Sequence, residues 1–190
     1  MAPENGTQKG SAGWGSLPAQ PTPFIGREAE LAEITELLAP VPVGGKIQRP
    51  CRLLTLVGPG GVGKTRLALE ATARACDGRA DGACFVPLQD VQPGQLASAI
   101  ADAVGVALRG QEDPRPQLLR YLRDKEMLLV LDSFEHLLPD ESGKRDASDE
   151  PDLLADILNE APRVSMIVTS REVLNLQEEW LFPVRGLEVP

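Results

Sequence analysis

Eight consecutive residues, Gly58, Pro59, Gly60, Gly61, Val62, Gly63, Lys64 and Thr65, carry the spacing G-x-x-x-x-G-K-[ST]. Each residue type has a chemical reason to stand where it does. Glycines let a backbone wrap closely and turn its amides inward, which makes a nest of N–H donors for anionic oxygens. A helix beginning at the lysine adds the positive end of its dipole to the same place. Lys64 supplies a mobile ammonium for β- and γ-phosphates, and the Thr65 hydroxyl is placed to ligate Mg²⁺. The pattern is therefore that of a phosphate-binding loop, the Walker A motif, for a nucleoside triphosphate.

A second group answers it. Leu128, Leu129, Val130 and Leu131 form an apolar run that ends at Asp132. Such a run carries one carboxylate to the edge of a sheet, where it can hold Mg²⁺ through water, as a Walker B aspartate does. Beyond it come Ser133, Phe134, Glu135 and His136. Hydrolysis needs a group that orients or deprotonates water, and Glu135 is the nearest carboxylate. The alternative is that Glu135 caps or faces solvent on a short helix. His136, the single histidine, reads as a packing or hydrogen-bonding residue. Arg171 follows another apolar run, and a guanidinium there can touch a γ-phosphate and report its presence. A plain surface arginine paired with an acid is the competing reading. No Asn-Lys-x-Asp occurs in the chain, so nothing reads a guanine edge and adenine is the expected base.

These residues must be positioned by alternating elements. Apolar periodicity places helices over 28–38, 64–76, 95–104, 117–123 and 153–159, and strands over 52–57, 84–88, 127–131, 164–168 and 180–184. Pro40 and Pro42 stop the first helix, and Pro114 with Pro116 signals the start of the fourth. Alternation of this kind predicts an α/β fold, a P-loop NTPase three-layer sandwich with a five-stranded, mostly parallel sheet. Right-handed crossovers put the strand ends on one edge, where ligands bind. The loop 58–65, Asp132 and Arg171 all follow strand ends.

Residues 1–20 are rich in Gly, Ser, Pro and Gln and read as a flexible leader. Residues 21–190 read as the nucleotide-binding domain, and 139–152 as a polar surface insertion. With aromatics at 4%, the core must be built from Leu, Val, Ile and Ala. The net charge of −9 argues against direct nucleic-acid contact by this domain, since that needs a basic face. No stretch suits a membrane span, and no apolar signal core precedes the domain. Cys51, Cys76 and Cys84 fit no metal spacing and read as reduced thiols of a cytoplasmic protein.

The motifs together resemble a known class. Phe24-Ile25-Gly26-Arg27-Glu28, the loop continuing into Arg66-Leu67-Ala68, Leu129-Val130-Leu131-Asp132-Ser133-Phe134-Glu135-His136-Leu137, and Val168-Thr169-Ser170-Arg171-Glu172 resemble the STAND class of signal-transduction ATPases. That class includes the NB-ARC and AAA-type ATPase domains of LuxR-type and antibiotic-regulator-type bacterial transcription factors. The resemblance spans about residues 17–190. It implies that Phe24, Ile25 and Gly26 lie against adenine, that Arg27 and Arg66 belong to the nucleotide-binding set, and that Arg171 is a sensor arginine. It also implies an ATP/ADP switch with slow Mg²⁺-dependent hydrolysis, and nucleotide-dependent self-association in a full-length protein. Many members of the class carry a second acid where this chain has Ser133, so a non-hydrolysing nucleotide-binding scaffold is the alternative. The helical and winged-helix lid segments of the class are expected to be absent from this sequence. A small-molecule kinase is the third reading, disfavoured because 139–152 is acidic where a phosphoryl-transfer lid needs positive charge.

Overall fold

The computed structural model describes residues 17–20, 22–39, 51–110, 112–139 and 150–186. The expected leader falls mostly on 1–16, and the expected insertion mostly on 140–149, outside the described residues.

Eleven elements follow one another among the described residues: α1 (Glu28–Leu38), β1 (Leu53–Val57), α2 (Lys64–Ala75), β2 (Ala83–Pro87), α3 (Leu96–Ala103), α4 (Pro114–Leu122), β3 (Leu128–Asp132), a 3₁₀ turn (Glu135–Leu137), α5 (Glu150–Glu160), β4 (Ser165–Ser170) and β5 (Glu179–Pro183). The sheet has five strands in the order β2-β3-β4-β1-β5. Every pairing is parallel. The central strands β1, β3 and β4 are buried and mostly apolar, because helices cover both sides of a parallel sheet.

Two apolar layers sandwich the sheet. On one face Leu31, Ile34 and Leu38 of α1 and Leu67, Ala68 and Ala71 of α2 pack on Leu54, Leu56, Val130 and Ile167. On the other, Leu96 and Ile100 of α3, Leu118 and Leu122 of α4 and Leu154 and Ile157 of α5 pack on Leu129, Leu131, Met166 and Val168. Two arginines lock helix ends to this frame. Arg52 donates to the carbonyls of Leu158, Ala161 and Val164 at 2.7, 2.6 and 3.0 Å, which satisfies the C-terminal end of α5. Arg79 does the same for Leu38 and Ala75 at the ends of α1 and α2.

Three boundaries differ from the sequence expectation in ways that matter. α4 begins at Pro114, not 117, because Asp113 caps it by accepting from Arg115 N at 3.0 Å and proline suits a first helical turn. α5 begins at Glu150, so the last residues of the expected insertion are helical. β4 continues through Ser170 rather than stopping at Val168, since Thr169 and Ser170 pair with Leu56 and Val57. That extension puts Thr169 inside the sheet.

α2 leaves β1 on one face, whereas α5 joins β3 to β4 on the other. The carboxyl ends of β1 and β4, side by side, therefore open a crevice at a switch point, the usual ligand position in such sheets.

Candidate functional site

The loop after β1 is bent by two left-handed residues, Gly61 at φ 76° and Gly63 at φ 93°. A side chain there would be strained, which explains glycine at both. Gly58 is glycine for a different reason. A Cβ on it would lie 2.3 Å from the Val184 carbonyl oxygen, where the chain leaving β5 crosses the loop.

α2 starts at the end of this bend with Gly63 at its N-cap, no side-chain cap and no acid in its first turn. Its positive end is therefore left for an anion. Lys64 is buried, and its Nζ donates to the carbonyls of Gly58 and Pro59 at 2.6 and 2.9 Å. Burial lowers its pKa, Glu135 and Asp132 oppose that shift, and Arg171 adds to it. One ammonium thus feels both carboxylates and the guanidinium, which brings all four expected groups into one electrostatic site.

Thr65 and Asp132 come together directly. Thr65 Oγ1 donates to Asp132 Oδ1 at 2.7 Å, although 67 residues separate them. The same Oδ1 accepts from Thr169 Oγ1 at 2.7 Å. Among the described residues no three His, Cys, Asp or Glu side chains cluster as a metal cage. One hydroxyl and one carboxylate suit Mg²⁺, which keeps most of its waters and takes phosphate oxygens, and do not suit a metal needing a full protein cage. The residues present therefore fit the nucleotide and the ion.

Glu135 lies on the 3₁₀ turn after β3, and its Oε1 is 3.1 Å from Arg171 Nε. Its other oxygen, Oε2, is buried with no hydrogen-bond partner. Arg171 also lies over the loop, with Nη2 3.1 Å from where a Cβ on Gly60 would be. Ser133, between Asp132 and this turn, adopts φ 67°, rare for a residue with a side chain. His136 makes a structural contact, its Nε2 2.9 Å from the Val91 carbonyl.

The amino-terminal motif approaches from the other side. Arg27 Nη2 donates to the carbonyls of Val62 and Arg185 at 2.8 and 2.7 Å, and Nη1 pairs with Glu30. It ties α1 to the phosphate loop and to the chain beyond β5. Phe24 is half-buried with the Arg66 guanidinium 5.9 Å over its ring, and Arg66 holds the carbonyls of Thr22 and Pro23. Gly26, at φ 70°, turns the chain into α1. Ile25 is 77% exposed, an unusual state for a large aliphatic side chain.

Sequence reasoning missed Thr169 and the carbonyls of Val184 and Arg185. A threonine ending an apolar run has no distinguishing signal until the strand order puts it beside Asp132. Backbone carbonyls carry no residue signature at all.

Comparison with known proteins adds to this geometry. A Mycobacterium tuberculosis protein assigned, in name only, as an HTH-type transcriptional regulator is 38% identical over 139 residues, 73% of this chain. The chain spans only 14% of that protein's length. The regulatory protein AfsR of Streptomyces coelicolor is 31% identical over 123 residues, 60% of this chain and 12% of AfsR. Among solved structures, the ORC2 protein of Aeropyrum pernix superposes with a TM-score of 0.59 at 18% identity, covering 84% of this chain and 48% of that one. A STAND protein with a tetratricopeptide repeat sensor from Pyrococcus horikoshii gives 0.51 at 19% identity, covering 93% and 25%. These two superpositions establish the P-loop ATPase fold. The model of the AAA ATPase domain matches residues 23–169, from the Phe24 motif to the threonine beside Asp132. The chain belongs to the AAA ATPase domain family.

Proposed function

We propose that this chain is the ATP/ADP-binding switch domain of a bacterial transcriptional regulator, with slow Mg²⁺-dependent hydrolysis. The observation that carries the proposal is the convergence of Lys64, Thr65 and Asp132 at an uncapped helix N-terminus. Relatives named as regulators support the wider role, and the ORC2 neighbour's structure contains ADPNP and ADP. Cytoplasmic location fits three free thiols, and self-association on nucleotide exchange belongs to the same proposal for the full-length protein.

Each residue has a task. The loop amides and the first turn of α2 receive the phosphate oxygens. Lys64 shifts its donors from the carbonyls of Gly58 and Pro59 to β- and γ-oxygens. Thr65 and Asp132 would hold Mg²⁺, which would supply charge neutralisation on those oxygens. Glu135 Oε2, lacking a partner, orients a water. Arg171, already over the loop, meets the γ-phosphate. Phe24 with Arg66 and the exposed Ile25 offer an apolar surface to adenine.

Ser133 favours a second reading, a nucleotide-binding module without turnover, because no second acid follows Asp132. Titration with a fluorescent ATP analogue and a phosphate-release assay separate the cases. Lys64→Ala is expected to weaken binding about a hundredfold, the scale of one lost charge-assisted contact to phosphate. Unchanged affinity would overturn the assignment of the site. Turnover abolished by Glu135→Gln supports the switch ATPase, and intact binding with no turnover in the parent chain supports the module.

A further inference from the structure

Thr169 is 1% exposed, and its hydroxyl both accepts and donates. The Ser133 amide can only donate, so Thr169 Oγ1 accepts from it, at 2.9 Å. An ionised carboxylate can only accept, so the Thr169 proton goes to Asp132 Oδ1, at 2.7 Å. The Thr169 carbonyl meanwhile accepts from Phe134 N at 2.9 Å. One residue of β4 therefore holds three successive residues, the last of β3 and the two that follow it.

The strand order makes this bridge necessary. β4 lies between β3 and β1, so Asp132 is one strand away from the strand that carries the phosphate loop. Thr65 reaches Asp132 from the loop side and Thr169 steadies it from the intervening strand. Both hydroxyls end on the same oxygen. With Thr169 in place the carboxylate cannot rotate freely, and the left-handed turn at Ser133 is pinned by its own amide.

We propose that Thr169 is a positioning residue for the cation site: its hydroxyl aims the Asp132 carboxylate and fixes the turn that leads to Glu135. This rests on the nucleotide and Mg²⁺ reading above. Residues that orient a metal-binding carboxylate without touching the metal change metal affinity about ten- to a hundredfold when removed. A purely structural threonine would instead lower stability and leave the metal dependence alone.

The experiment compares the parent chain, Thr169→Val, Thr169→Ala and Thr169→Ser. Affinity for a fluorescent ATP analogue is measured in EDTA and in Mg²⁺, alongside thermal melts. Valine keeps the volume and loses the hydroxyl. The expected result is unchanged affinity in EDTA and a loss of about tenfold or more in the Mg²⁺ enhancement. Serine keeps the hydroxyl and is expected to retain the enhancement, while alanine loses it. If the valine variant fails to fold, the serine and alanine pair still decides, because both lose the methyl and only one loses the donor. Full Mg²⁺ enhancement in the valine or alanine variant overturns the proposal. A parent chain that binds no nucleotide, or whose affinity survives Lys64→Ala, overturns the underlying site instead.

Discussion

Arg171 Nε stands 3.1 Å from Glu135 Oε1, while the far end of the same guanidinium lies over Gly60 of the phosphate loop. The side chain of Arg171 is 63% exposed and that of Glu135 is 24% exposed, so water screens their attraction from the arginine side. An anionic oxygen arriving above the loop competes with Glu135 for one cation. Under the proposed function, the pair links occupancy of the γ-phosphate position to the freedom of the carboxylate.

Arg171→Ala is accordingly expected to weaken binding of a non-hydrolysable ATP analogue about tenfold, the lower end for a charge-assisted bond given its exposure. ADP affinity should stay nearly unchanged, because the proposed contact lies at the terminal phosphate. Calorimetric titration with both nucleotides reads the difference. An equal loss for both would place Arg171 outside the γ-phosphate contact.

Gly58 and Gly60 are expected to respond differently to alanine. At Gly58 the obstacle is the Val184 backbone carbonyl, 2.3 Å away, and Val184 is itself fastened to Val57 by a 2.7 Å bond. Backbone cannot swing aside, so Gly58→Ala should cost about 2 kcal/mol, or roughly 4–8 °C in melting temperature. At Gly60 the obstacle is the tip of Arg171 at 3.1 Å, a flexible side chain. Gly60→Ala should leave the melt unchanged and shift Arg171 from its place. Calorimetric melts compare them, and equal losses would contradict the cause given for Gly58.

Burial pushes the thiols of Cys51 and Cys84 up, to about 12 and about 11. Each stays neutral in the folded chain, whereas an unfolded thiol ionises near pH 9. The stability linked to them is complete below pH 9 and is lost as pH rises towards 11–12. Denaturant melts from pH 8 to 10.5 should show that decline, and it should be shallower in a Cys51→Ala, Cys84→Ala variant. At pH 8 a thiol reagent should modify Cys76, the half-exposed one, and reach the other two only on unfolding. Fast labelling of all three in native buffer would contradict this burial.

Much was legible in the sequence for a simple reason. α1 was read at its true bounds, and every strand to within two residues at each end, because apolar periodicity and the proline and glycine stops are local. The phosphate loop was legible because its glycines are demanded by local backbone angles, at Gly61 and Gly63 directly. Arg171 was read as a strand-end residue and Glu135 as the nearest carboxylate beyond Asp132, yet nothing in the sequence paired them with each other.

The sequence by itself determined the element order, the helix and strand faces and the bend at 58–65, since these depend on neighbours within a few residues. Only the tertiary structure decided that β4 enters between β1 and β3, and with it that Thr169 touches Asp132, that Val184 excludes any side chain at Gly58, and that Arg27 closes on Val62 and Arg185. The physical reason is that strand order is chosen by how two helical layers bury their apolar faces together, a sum over the whole sheet that no local window contains.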